Sequence, residues 1–141
     1  MTLAQRVPVA GAVIVTTPQD IALADARKGL AMFEKVAVPV LGIIENMSIH
    51  ICSNCGHAEH IFGSGGGARM AAQAGVRLLG ELPLDVRIRE DADGGRPTVV
   101  AEPQSPRAQL YFETARRTAA VLARRARDRS IVFPNIVVEP S

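Results

Sequence analysis

The run Gly11-Ala12-Val13-Ile14-Val15-Thr16-Thr17 is apolar and rich in β-branched residues without polar alternation, which predicts a strand buried on both faces. Pro18 and Asp20 then mark a helix start. Ala22, Ala26, Gly29, Leu30, Phe33, Val36 and Ala37 recur at helical spacing, so one apolar stripe can cover the strand before Pro39 closes the helix. Val40-Leu41-Gly42-Ile43-Ile44 repeats the buried-strand pattern. Strand, helix and strand in that order predict a parallel pair with a right-handed crossover. A short helix from about Ala68 to Ala74 leads to a third strand at Leu78-Leu79-Gly80-Glu81. Next come a helical stretch near Asp85 to Asp91, a break at Gly94-Gly95, and a long helix from about Ser105 to Arg127. Ile131 to Val138 is a candidate edge strand, with Pro134 arguing against a central position. The fold class is α/β.

In parallel α/β sheets, ligands gather beyond the carboxyl ends of the strands, where loops carry polar groups without disturbing the core. Thr17 to Asp20, Glu45 to Gly67 and Leu82 to Asp85 are therefore expected to open on one edge of the sheet. Any chemistry belongs there.

The second of these segments carries the only two cysteines, in the run His50-Ile51-Cys52-Ser53-Asn54-Cys55-Gly56-His57. The spacing is that of a metal site, but it supplies two ligands where a soft metal or an iron–sulfur cluster usually takes four. Either nearby histidines complete the set or a second copy of the chain does. The polar turn around Cys52 and Cys55 argues against an inert buried pair. A thioredoxin-type pair would open a helix, whereas Gly56 predicts a turn. Covalent haem attachment needs histidine directly after the second cysteine, and Gly56 intervenes. Zinc held within one chain by Cys52, Cys55 and two of His50, His57 and His60 stays open, although these histidines lie closer than the usual long-spacer pattern.

Composition sets the bounds. The 141 residues make one domain, and 48% hydrophobic with 21% charged residues is an ordinary globular balance. No apolar run reaches the roughly 18 residues needed to cross a membrane, and Met1 to Arg6 lack the layout of an export signal. A cytoplasmic location with no membrane partner is the expectation. In that reducing compartment, two close cysteines serve metal or redox chemistry rather than a structural disulfide. A net charge of +2 makes no case for nucleic acid. The seven arginines between Arg107 and Arg129 are read as the wet face of a helix. Leu110, Tyr111, Thr114, Thr118, Val121 and Leu122 form the opposite stripe, and no interleaved aromatics offer base stacking. Gly63-Ser64-Gly65-Gly66-Gly67-Ala68 formally matches a dinucleotide fingerprint, but it follows the cysteine loop rather than a strand. It is expected as a flexible turn into the next helix, its open amides attracting an anion only weakly.

Several segments together carry a resemblance. They are Gly11 to Asp20, Gly42-Ile43-Ile44-Glu45-Asn46-Met47, Ile51 to His57, Ile61-Phe62-Gly63, and Leu82-Pro83-Leu84-Asp85-Val86-Arg87-Ile88-Arg89. In this order they resemble the carboxyl-terminal half of the Mrp/ApbC/Nbp35 family of iron–sulfur cluster carrier P-loop ATPases, from about Thr2 to about Val121. The resemblance implies a partial P-loop NTPase, Rossmann-like parallel sheet, and a homodimer in which Cys52 and Cys55 of each subunit hold one bridging [4Fe-4S] cluster for delivery to apo iron–sulfur proteins. It also implies ATP with magnesium as a ligand of the family. Asn46 and the Pro83 to Asp85 turn match its adenine-contacting elements, and an asparagine amide offers a donor and an acceptor to the adenine edge. The departure is as informative. No GxxxxGK followed by Ser or Thr occurs anywhere in the 141 residues. Residues 1–128 therefore read as the carboxyl-terminal half of such an ATPase domain, with 129–141 as a tail. On this reading the chain does not hydrolyse ATP alone, and its sheet edge near Gly11 to Thr17 is unpaired and apolar, open to a partner or to aggregation. The reading of different class is a non-catalytic, zinc-stabilised binding module.

Overall fold

The computed structural model describes residues 9–130. Three parallel strands, β1 (Ala12–Thr16), β2 (Val40–Glu45) and β5 (Arg77–Glu81), form one sheet in the order β1-β2-β5. The helix α1 (Asp20–Lys35) links β1 to β2. Between β2 and β5 lie a small antiparallel hairpin of β3 (His50–Ile51) and β4 (Ala58–Glu59), then α2 (Gly66–Gln73). After β5 come α3 (Val86–Asp93), α4 (Thr98–Ala101) and α5 (Pro106–Ser130). The α/β architecture and parallel order match the reading of the sequence. The candidate edge strand at Ile131 to Val138 lies outside the described residues.

The central strand is β2, and it is the most completely covered. Ile43 has no exposed surface. It joins Ile14, Leu23, Ala26, Leu30, Met70 and Ala71 in a core where α1 and α2 lie on the sheet, with Phe33, Val40, Val76 and Leu78 packed around it. Of these, the larger side chains of Ile14, Leu23, Leu30, Ile43 and Met70 each contribute about 1.5–3 kcal/mol on burial. Gly42 is required by the close approach of β5. A Cβ there would lie 2.5 Å from the Arg77 carbonyl oxygen and 2.6 Å from Leu79 Cγ.

Three expectations are corrected. The α1 stripe includes Leu23, 4% exposed, and excludes Ala37, which is exposed and lies beyond the helix. The helix ends before Pro39, because Val38 N–H donates to Phe33 O at 3.0 Å and Ala37 N–H to Glu34 O at 3.1 Å, with Ala37 at φ 55. That is a Schellman stop with alanine in the left-handed position usually given to glycine. In β1, Val15 is 58% exposed rather than buried on both faces. Among the described residues β1 is an edge strand, and an open hollow of about 510 Å³ beside it is lined by Val13, Val15, Thr17, Ala22, Asp25 and Asn46 among others. The expected unpaired apolar edge is therefore present among the described residues. On α5, Thr114 is buried against Gly80, where a Cβ would come within 2.0 Å of its Oγ1, while Leu110 and Leu122 are each 38% exposed. Among the described residues, no helix is long and apolar enough to cross a membrane.

Candidate metal centre

Beyond the sheet, the β2–β5 pairing continues into the loops. Leu82 N–H donates to Glu45 O at 2.8 Å, Ser48 N–H to Leu82 O at 3.0 Å, and Leu84 N–H to Ile49 O at 2.8 Å, before His50 forms a parallel bridge with Leu84. Asn46 N–H meanwhile donates to Thr16 O at 2.7 Å. Two of the three predicted loops thus run side by side, and the chain end of β1 is tied to the first of them. The third loop meets the glycine turn. A Cβ on Gly66 would sit 3.2 Å from the Pro18 carbonyl oxygen and 2.7 Å from Leu23 Cδ1, so a side chain there would push its neighbours apart.

The extended strap leads into β3 and the cysteine turn. Gly56 N–H donates to Cys52 O at 2.8 Å and Cys52 N–H to His57 O at 2.9 Å, closing the turn with Gly56 at φ 73. Cys52 is half-buried and Cys55 exposed, and both are free thiols. Neither opens a helix, in line with the argument against a thioredoxin-type pair. The Cys55 backbone N–H holds the Cys52 thiol below its ordinary pKa, helped by the Asn54 N–H, the Cys55 side chain and the charge of His50. A thiolate is the form that binds metal, so this turn favours a ligand at Cys52.

The histidines do not complete the set within one chain. Among the described residues, no three His, Cys, Asp or Glu side chains are gathered to hold an ion. His50 Nδ1 lies 3.0 Å from Leu84 O, and His60 Nδ1 lies 2.7 Å from Ser48 O. His57 is exposed. The donor set offered by the described residues is two thiols on an exposed turn, a composition suited to a soft metal or an iron–sulfur cluster and short by two ligands.

Asn46 sits in the loop after β2 and lines the hollow beside β1. Its Oδ1 accepts from Met47 N–H at 2.9 Å, and Met47 takes a left-handed φ of 57, a strained conformation for a side chain of that size. Pro83 and Asp85 occupy the adjoining loop. The Asp85 carboxylate is engaged within the chain. Oδ1 accepts from Arg87 N–H at 2.8 Å as the N-cap of α3, and Oδ2 pairs with Arg107 at 3.2 Å. Arg107, read from sequence as solvated, is instead 27% exposed and also pairs with Glu102 at 2.5 Å. Glu102 in turn takes Arg87 at 3.0 Å, and hydrogen bonds from Arg87 and then Arg107 hold its carboxyl below the usual range. Replacing Asp85 by Ala removes both the cap and the pair. It is expected to cost about 1–2 kcal/mol in urea unfolding, with Asp85→Asn losing less because the cap survives. An unchanged midpoint for Asp85→Ala would remove this role.

A further residue was not singled out from sequence. Glu45 is 1% exposed, its Oε2 accepts from Gly67 N–H, and its Oε1 has no partner. The first turn of α2 is therefore not an open anion cradle. An internal carboxylate already occupies one of its amides, and a Cβ on Gly67 would lie 2.9 Å from Glu45 Cβ.

Residues 1–119 match the family described as ParA: NUBPL iron-transfer P-loop NTPase. An iron-sulfur cluster carrier protein of Pseudomonas fragi is 65% identical over 115 residues, 82% of this chain and 40% of its own length. The carrier protein of Escherichia coli K12 is 60% identical over 122 residues, covering 86% of this chain and 33% of its own. The iron-sulfur cluster transfer protein NUBPL of Mus musculus is 48% identical over 115 residues, 82% of this chain and 36% of its own. Among solved structures, a nucleotide-binding protein of Archaeoglobus fulgidus in complex with ADP is 36% identical with a TM-score of 0.58, covering 73% of this chain and 41% of that one. The cell division ATPase MinD of Pyrococcus furiosus, 24% identical with a TM-score of 0.62 over 79% of this chain and 43% of its own, shares the fold. The chain spans 33–40% of the length of these three relatives. It belongs to the ParA/NUBPL iron-transfer P-loop NTPase family, the Mrp/ApbC group of iron–sulfur carriers.

Proposed function

We propose that the chain is the cluster-holding part of an iron–sulfur cluster carrier. Two copies meet so that Cys52 and Cys55 of each hold one bridging [4Fe-4S] cluster, the cargo passed on to apo iron–sulfur proteins in the cytoplasm. The observation that carries this reading is the two-thiol turn, exposed at Cys55 and without a third ligand among the described residues. A twofold pair of such turns supplies the four thiolates that a cluster of this type takes. Cargo held at a surface between two subunits is also accessible to a recipient.

Nucleotide belongs to the same reading at family level. Asn46 and the Pro83 to Asp85 loop would meet the adenine, with the Asn46 Nδ2 and backbone groups at Pro83 as the contacts, since the Asp85 carboxylate is committed to Arg87 and Arg107. On this reading residues 1–128 belong to the half-domain, and α5 runs two residues past that bound to Ser130. Phosphate and magnesium would be held by a P-loop that these 141 residues do not contain. A zinc-stabilised module needs third and fourth ligands close to Cys52 and Cys55, and none is assembled among the described residues. Anaerobic reconstitution with iron and sulfide tests the choice. A brown protein with about four irons per two chains supports the carrier, and a colourless one with about one zinc per chain supports the module.

A further inference from the structure

Two imidazoles beside the thiol turn are spent on backbone carbonyls. A carbonyl oxygen only accepts, so each ring Nδ1 carries the proton and donates, His50 to Leu84 O at 3.0 Å and His60 to Ser48 O at 2.7 Å. These two bonds bracket a ladder that already joins the segments. Ser48 gives Leu82 O both its N–H, at 3.0 Å, and its Oγ–H, at 3.2 Å, while Leu84 N–H returns to Ile49 O at 2.8 Å. His50 is itself a rung through its backbone bridge to Leu84. His60 follows β4, so its bond ties the far arm of the cysteine hairpin to the same strap at Ser48. The near arm is thereby fixed to the Leu82–Asp85 loop directly through His50, and the far arm through Ser48, which itself bonds Leu82 O.

We propose that His50 and His60 are positioning residues, not ligands, and that they weld the cysteine hairpin to the Leu82–Asp85 loop so that the two move as one body. With two-residue strands, the hairpin has little pairing of its own to fix its direction. The imidazole bonds supply that direction from outside. Resting on the proposed carrier function, the consequence is that a nucleotide seated against Asn46 and Pro83 alters the attitude of Cys52 and Cys55 through one continuous hydrogen-bonded strap. Neither imidazole is required to touch the cluster.

Asparagine discriminates the roles, because its Nδ2 can donate from nearly the position of the histidine Nδ1, yet it offers no ring Nε2 to a metal. The measurements are amide hydrogen exchange at Ser48, Cys52 and Leu84, and the alkylation rate of Cys52, on the metal-free full chain. His50→Ala and His60→Ala are expected to speed exchange at these amides by about fivefold, the worth of one hydrogen bond. Cys52 alkylation should change with it, and His50→Asn and His60→Asn should restore both towards the parent. Exchange and alkylation unchanged in both alanine variants would overturn the proposal. So would loss of bound iron in the asparagine variants with parental exchange, which would make the histidines ligands. If the strap responds as expected while the parent chain retains no iron on reconstitution, the carrier reading fails and the positioning role stands.

Discussion

Replacing either Cys52 or Cys55 by alanine is expected to reduce iron and sulfide retention to background after anaerobic reconstitution, and to abolish donation to an apo acceptor at the same time. In a twofold assembly each single substitution removes two of four thiolates, so loss is expected to be near total rather than graded. The fold should be indifferent. Cys55 is exposed, Cys52 is half-buried, and neither belongs to the core built on Ile43, Leu23 and Met70. Far-ultraviolet circular dichroism and urea midpoint should therefore match the parent within about 0.5 kcal/mol. Substituting His57, which points no bond into the strap, should leave iron content unchanged. Iron retention in Cys52→Ala at the parental level would show that the cargo is held elsewhere.

ATP turnover by the 141 residues alone should be indistinguishable from buffer. Phosphoryl transfer is catalysed by placement and charge stabilisation, which a P-loop backbone and its lysine provide together with magnesium, and no such segment is present in this sequence. The glycine-rich run at Gly63 to Gly67 does not stand in for it. It has no lysine after the glycines, and Glu45 fills the Gly67 amide from within. With that amide already taken from within, the helix start has one fewer donor to offer a phosphate. Among the described residues, β1 lies at the open edge of the sheet. Val15 at 58% and Ile21 at 78% exposure leave an apolar margin beside the hollow that Asn46 lines. Turnover is expected only when a P-loop-bearing chain portion from a relative is supplied. Hydrolysis that co-purifies with the 141-residue chain through successive columns, and is lost on mutating Asn46, would contradict this.

Much of the sheet was legible because β2 is a central strand and its run Val40 to Ile44 has the unbroken apolar composition that two-sided burial demands. The same composition misleads at β1, since an edge strand can carry the same residues as a covered one, and Val15 is exposed despite them. The cysteine turn and its ligand shortage were readable from spacing and Gly56. Its supports were not. The β3 and β4 strands are two residues each, too short to show periodicity, and what orients them are contacts between His50 and Leu84, 34 positions apart. Arg107 hid in an arginine-rich helix because its partners, Asp85 and Glu102, lie outside that helix. The four-residue α4, Thr98 to Ala101, carries a Thr-Val-Val start that favours strand by propensity, and Thr98 is held by a hydroxyl bond to Asp91 at 2.8 Å. Glu45 could not be recognised as buried from a strand-end position that normally faces water.

Native mass spectrometry of the anaerobically reconstituted protein bears most directly on the claim that this chain offers half a coordination sphere. A species of two chains plus one cluster of about four irons and four sulfides, reverting to metal-free chains when the cluster is stripped, is the predicted result. A single chain carrying a complete ion of its own, with Cys52 and Cys55 both protected from alkylation, would contradict it.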